Sequence, residues 1–136
     1  MNKNQSSGYT LIELMLVVAV IGVLSSLAYA YYGDQVIASR RTDGRAAITA
    51  TAASLEKCRA LYSSYNDATR CNNVFPFPVT SDEGFYSITA AFASSTQFIL
   101  TATPVGVQAA DKECLTMTLS NTGIKSGTGS DPAECW

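Results

Sequence analysis

From Leu14 to Gly33 the chain runs twenty residues without a charged side chain, and the residue just before this run is Glu13. As a helix, that run is about 30 Å long, enough to cross a hydrocarbon core. Gly22, Ser25 and Ser26 interrupt it with small side chains that permit close helix–helix approach in lipid. A carboxylate at the mouth of such a span is costly if pushed into lipid, so Glu13 requires a cationic partner. Lys3 precedes the span, which places the N-terminus on the cytoplasmic side and the remainder on the other.

Two simpler readings compete. A secretory signal peptide would be cut at the small-x-small site Ala28-Tyr29-Ala30. A plain single-span anchor would keep the segment. Both leave Glu13 unexplained.

Helical periodicity continues past the span. Ile37, Gly44, Ile48, Ala52, Leu55, Cys58 and Tyr62 recur at spacings of three, four and seven, as one face of a helix does. Arg40, Arg41, Asp43, Arg45, Thr49, Glu56 and Lys57 fall largely off that face. One helix from about residue 10 to 62 is expected, with Gly33 and Gly44 as points where it would bend. Its N-terminal half has no domain of its own to cover it. Arg40, Arg41, Asp43 and Arg45 read equally as a cuff above a membrane, a subunit contact or a solvated face.

Residues 62–80 read as a loop, broken by Asn72-Asn73 and Pro76-Phe77-Pro78. Three β-runs follow, at Phe85–Phe92, Gln97–Thr103 and Leu115–Ser120, with Asn121-Thr122-Gly123 as a turn. An antiparallel sheet with one apolar face would pack on the helical stripe, giving an α+β fold. The Gly/Ser-rich stretch from Gly127 to Asp131 has no structure of its own unless it is pinned.

At 136 residues the chain has room for one folded domain. Its net charge of −2, or −3 if the first eight residues and Lys3 are lost, advertises no strongly basic surface. There is no histidine, no Gly-x-Ser-x-Gly elbow and no phosphate-cradling loop, so no enzymatic function and no cofactor are expected. The adjacent carboxylates Asp82 and Glu83 point apart on an extended chain and read as a solvated turn. Cys58, Cys71, Cys114 and Cys135 lie behind an apolar segment, which suggests an oxidising compartment and two disulfides rather than zinc. Four cysteines allow three pairings, and sequence does not choose among them; the local bridges Cys58–Cys71 and Cys114–Cys135 are the preferred expectation.

The motif Gly8-Tyr9-Thr10-Leu11-Ile12-Glu13-Leu14, extended through Val17–Leu24, resembles the signature of type IV pilins (the type IVa prepilin family). Cys58–Tyr65, the Leu115–Leu119 strand and the terminal Cys135-Trp136 look like those of PilE-type minor pilins of Gram-negative bacteria. This sequence departs from the family in having Tyr9 where phenylalanine is usual, and Ala30 where many members have a helix-bending proline.

The resemblance implies a division into a cleaved leader (1–8), a membrane and filament-core helix (9–33) and a periplasmic globular domain (34–136). It implies cutting after Gly8 and N-methylation of Tyr9 by a prepilin peptidase/methyltransferase. Glu13, one turn from Tyr9, would then meet the new amine of its own chain or of a neighbour and set axial register. The protein would wait in the inner membrane, join other pilin subunits, and end in an extracellular pilus. As an alternative, some related minor pilins bind DNA during uptake. The candidate contacts here are Arg59, Arg70, Lys112 and Lys125, with Tyr62, Tyr65 or Phe77 as stacking groups.

Overall fold

The computed structural model describes residues 9–71 and 76–136. The leader with Gly8, and the Asn72-Asn73 turn, lie outside the described residues. Helix α1 spans Leu11–Tyr62 and remains helical at Gly33 and Gly44. The chain divides into two units between Val36 and Ile37.

In the first unit α1 has no core. Leu11, Ile12, Leu14, Met15, Val18, Ile21, Leu24 and Leu27 are all exposed. The Thr10 carbonyl accepts from the N–H groups of Glu13 (3.1 Å) and Leu14 (3.3 Å), closing the first turn. Glu13 stands in that turn, where a negative charge is favoured by the helix dipole. Within the apolar run, the Ser26 hydroxyl donates to the Val23 carbonyl at 2.7 Å, which satisfies it without water.

In the second unit, α1 buries Arg41, Gly44, Ile48, Thr51, Leu55 and Cys58, alternating steps of three and four. Of the expected stripe, Gly44, Ile48, Leu55 and Cys58 are buried, Ile37 and Ala52 are half-buried, and only its last member departs. Tyr62 is 40 % exposed, and Arg41, expected off the stripe, is 2 % exposed. Periodicity counts only apolar side chains, so an arginine on the buried face escapes it.

The sheet is an antiparallel meander of five strands in sequence order. They are β1 (Val79–Thr80), β2 (Tyr86–Ser94), β3 (Gln97–Pro104), β4 (Thr116–Ser120) and β5 (Lys125–Thr128). The three expected runs are β2, β3 and β4. The edge strand β1 falls inside the stretch read as a loop, and β5 runs into the tail read as beginning at Gly127. Tyr86, Ile88, Phe98, Leu100, Ala102, Met117 and Leu119 join Ile48 and Leu55 in one core, so the apolar sheet face lies on the helical stripe. Burying a large aliphatic side chain of this kind contributes about 1.5–3 kcal/mol.

Two glycines set how closely the layers approach. A Cβ on Gly44 would stand 2.6 Å from Met117 Cε and 2.9 Å from the Tyr86 ring. A Cβ on Gly127 would stand 2.7 Å from Cys135 Cβ. Gly44 therefore lets α1 settle onto β2 and β4, and Gly127 lets the C-terminus close over β5. Gly44→Ala is expected to overpack this contact and cost about 1–3 kcal/mol. Urea unfolding of the full chain in detergent checks it, and an unchanged midpoint would show that Met117 yields freely.

Candidate assembly and nucleic-acid surfaces

The arginines that follow the apolar run divide by role. Arg41 donates from Nε to Asp111 Oδ2 (2.7 Å) and from Nη2 to Asp111 Oδ1 (2.8 Å) and Glu113 Oε2 (2.7 Å). Its Nη1 lies 3.9 Å from a Glu134 carboxylate oxygen. Asp111 also accepts from the Glu113 and Cys114 N–H groups at 3.1 Å and from Gln108 Nε2 at 3.2 Å. Burial alone pushes the Asp111 carboxyl up. The bonds from Arg41 and the two backbone donors outweigh it and hold the group below the usual carboxylate range. Arg45 donates from Nε to the Cys135 carbonyl (2.9 Å) and from Nη2 to the Glu134 carbonyl (2.6 Å). Asp43 accepts from the N–H groups of Glu83 (3.2 Å) and Phe85 (3.4 Å). The Arg40 guanidinium lies 4.6 Å from the Phe85 ring centroid. Arg41 and Arg45 are thus internal clamps on the loop before β4 and on the C-terminus, and form no solvated cuff.

Both expected disulfides are present. Cys58–Cys71 joins the end of α1 to the following loop, with Cα atoms 5.7 Å apart. Cys114–Cys135 ties the start of β4 to the C-terminal turn Pro132–Cys135, with Cα atoms 5.3 Å apart.

The candidate DNA contacts separate. Arg59, at the end of α1, and Arg70, in the loop after it, each lie against a different ring. Arg59 lies 4.9 Å from the Tyr65 ring centroid and donates to its hydroxyl at 2.9 Å, while Arg70 lies 5.7 Å from the Tyr62 ring centroid. Lys57, Tyr62 and Arg70 line one shallow cavity of about 210 Å³ beside the Cys58–Cys71 bridge. The bridge brings Lys57 and Arg70 to this cavity, because each is the neighbour of one of its cysteines, and Arg70 also lies 3.7 Å from an Asp67 carboxylate oxygen. Lys57 therefore belongs with the candidates, and its place next to Cys58 was the signal for it.

Lys125 stands at the end of β5 near the Asn121 turn, with its ammonium 4.8 Å from the Trp136 ring centroid. The Asn121 N–H bonds the Phe98 carbonyl, and the Tyr65 N–H bonds the Ser95 carbonyl, so this turn and the post-helix loop meet the same β2–β3 hairpin. Lys112 lies at the opposite end of β5, where its carbonyl accepts from the Ser130 N–H at 2.9 Å. It does not join the others.

Of the stacking candidates, Tyr65 is 1 % exposed, and its ring meets Phe98 edge-on at 4.8 Å. Its hydroxyl donates to Glu56 at 2.6 Å. Burial, then the bond to Glu56, pushes this phenol up. It is a core residue and offers no face to a base. Phe77 is half-buried against Phe92. Tyr62 keeps an exposed ring beside two cations.

Tyr9 and Glu13 are both exposed, and among the described residues Glu13 has no ion-pair partner within the chain. The N-terminal unit thus presents an uncovered apolar surface headed by an uncompensated carboxylate.

The prokaryotic N-terminal methylation motif matches residues 3–29. A family model described as type IV minor pilin ComP, DNA uptake sequence receptor, matches residues 30–118. Among curated relatives, the type IV major fimbrial protein FimA and a fimbrial protein, both of Dichelobacter nodosus, are 45 % identical over 42 residues. That match covers 31 % of this chain and 26 % of each relative, so the chain spans about a quarter of their length.

The Arg41–Asp111 pair makes a direct prediction. Asp111→Ala leaves a buried guanidinium without its main partner and is expected to cost about 3–5 kcal/mol at neutral pH. Because the folded carboxyl titrates below its unfolded value, its contribution is complete above pH of about 4 and is lost as pH falls through the folded value. Urea unfolding across an acid pH series should show this loss in the native chain and its absence in Asp111→Asn.

Proposed function

Since the chain belongs to the type IV minor pilin family, we propose that it is a pilus subunit assembled through its N-terminal helix. In this reading residues 1–8 are a leader, 9–33 the membrane and filament-core helix, and 34–136 the periplasmic domain. Prepilin peptidase cuts after Gly8, and Tyr9 becomes the methylated N-terminus. The observation that carries the proposal is an apolar helical unit with no cover of its own, coinciding with the N-terminal methylation motif. Cutting on the cytoplasmic side keeps the apolar helix attached, so the chain is anchored in the inner membrane until it leaves lipid for the filament.

Glu13 supplies specificity within that core. In a low-dielectric fibre, a carboxylate next to the Tyr9 amine of the same or a neighbouring chain is compensated only in correct axial register. The mature protein is therefore expected to begin at N-methyl-Tyr9 by N-terminal sequencing and mass measurement. A start at Tyr31 would make the chain a secreted domain. Glu13→Gln should leave cleavage intact and reduce recovery in sheared pili. Native-level incorporation of that variant would remove the pairing role.

A second reading, a receptor for DNA during uptake, is favoured by the description of the matched family and by Lys57 and Arg70 round one cavity. Two cations beside the exposed Tyr62 suit a phosphate backbone with one stacked or grooved base. Gel-shift titration of the full chain with duplex DNA across a salt series is the check. The Lys57→Ala/Arg70→Ala variant should weaken binding and reduce the log–log salt slope by about 0.9 for each phosphate that is no longer neutralised. Lys112→Ala should leave the slope unchanged. Absence of binding at low salt would eliminate the receptor reading, without touching the subunit reading.

A further inference from the structure

We infer that Tyr31 and Tyr32 form an interfacial anchor that fixes the depth of the first unit in a bilayer, with Glu13 marking the opposite face. This rests on the proposal that residues 9–33 occupy the membrane before assembly. It goes further by assigning the residues that set the register.

Three observations carry it. Tyr31 and Tyr32 are 75 % and 70 % exposed, at the end of a run whose other described large side chains are aliphatic. From Glu13 to Tyr32 the helix rises about 28 Å, close to the thickness of a hydrocarbon core. Beyond the tyrosines the chain passes Gly33 and reaches Asp34, so the apolar stretch ends within two residues of them.

The chemistry of tyrosine suits that position. Its ring prefers the acyl boundary and its hydroxyl prefers water and headgroups, which is why such residues gather at membrane interfaces. Adjacent residues on a helix point in directions about 100° apart and do not face one another. The pair therefore engages the interface over a wide arc and tolerates rotation of the helix about its axis. Sliding the helix inward would bury two phenol hydroxyls and then Asp34. Sliding it outward would expose leucines at one face and draw the Glu13 carboxylate into lipid. Both displacements are opposed, so the segment has one preferred depth.

The partner is the lipid surface, and the test uses the full chain reconstituted in phosphatidylethanolamine/phosphatidylglycerol vesicles. These are doped with lipid brominated near either the carbonyl or the methyl end of its acyl chains. Tyr32→Trp and Leu24→Trp are compared, with the Trp136 signal subtracted using the unsubstituted chain. Tyr32→Trp should be quenched most by the shallow bromine and Leu24→Trp most by the deep one. Introducing Tyr31→Leu and Tyr32→Leu together should shift the Leu24→Trp profile and abolish its single preferred depth.

Deep quenching of Tyr32→Trp overturns the inference while the anchoring reading stands, as does no quenching of it alongside a deeply quenched Leu24→Trp. An unchanged Leu24→Trp profile in the double leucine variant also overturns it. Quenching of neither reporter overturns both, and assigns the exposed tyrosines to contacts between copies of the chain.

Discussion

The bidentate contact between Arg41 and Asp111 is where the globular unit is held together away from its apolar core. An isolated charge of either sign at that depth would be severely penalised, so each residue requires the other. A buried ion pair is nonetheless weak evidence for stability, because a hydrophobic pair of equal volume often serves as well. Its consequence here is positional. Asp111 also accepts from the Glu113 and Cys114 N–H groups, which aims Cys114 toward Cys135. One turn along the helix, Arg45 holds the carbonyls of Glu134 and Cys135. Two helix arginines and one disulfide thus fix the C-terminus, and the C-terminus in turn covers β5: Trp136 donates to the Ser126 carbonyl at 2.7 Å, and Cys135 packs on Gly127.

That dependence explains which parts of the fold could be read from the sequence. The long helix and the strands β2 to β4 were legible, because each carries a local signal of period or alternation; the disulfide pairing was a preference for local bridges among three open pairings, and the structure has those bridges. The strand β5 was not legible. Lys-Ser-Gly-Thr has little preference for a strand and no apolar alternation; it becomes one because β4 lies on one side and the pinned C-terminus on the other. The two residues of β1 are similarly defined by their pairing with Ile88 and Ser87. Arg41 failed for the converse reason. Its type argued for solvent, and the partner that makes it a core residue is 70 positions away.

The site residues divide along the same line. Lys57 and Arg70 are thirteen positions apart in sequence, yet the Cys58–Cys71 bridge sets both round one cavity, while Arg59 turns to Tyr65 instead. Lys112 and Lys125 looked equivalent to them and are not, since β5 separates the two lysines end to end. Tyr65 looked like a stacking platform, but an aromatic ring near a cation does not distinguish a surface from a core. Its hydroxyl bridges Glu56 and Arg59 while its ring fills the space beside Phe98.

A net charge of −2 gives a polyanion no reason to approach this chain from a distance. Whatever attraction exists must act at short range, within a Debye length of about 8–10 Å, where a local cluster outweighs the average. Lys57 and Arg70 stand beside a covalent staple, and the staple fixes the backbone on both sides of their cavity. In the first unit Glu13 stands at one end of the uncharged run from Leu14 to Gly33 and Asp34 at the other, so two carboxylates bound an apolar stretch that carries no charge of its own.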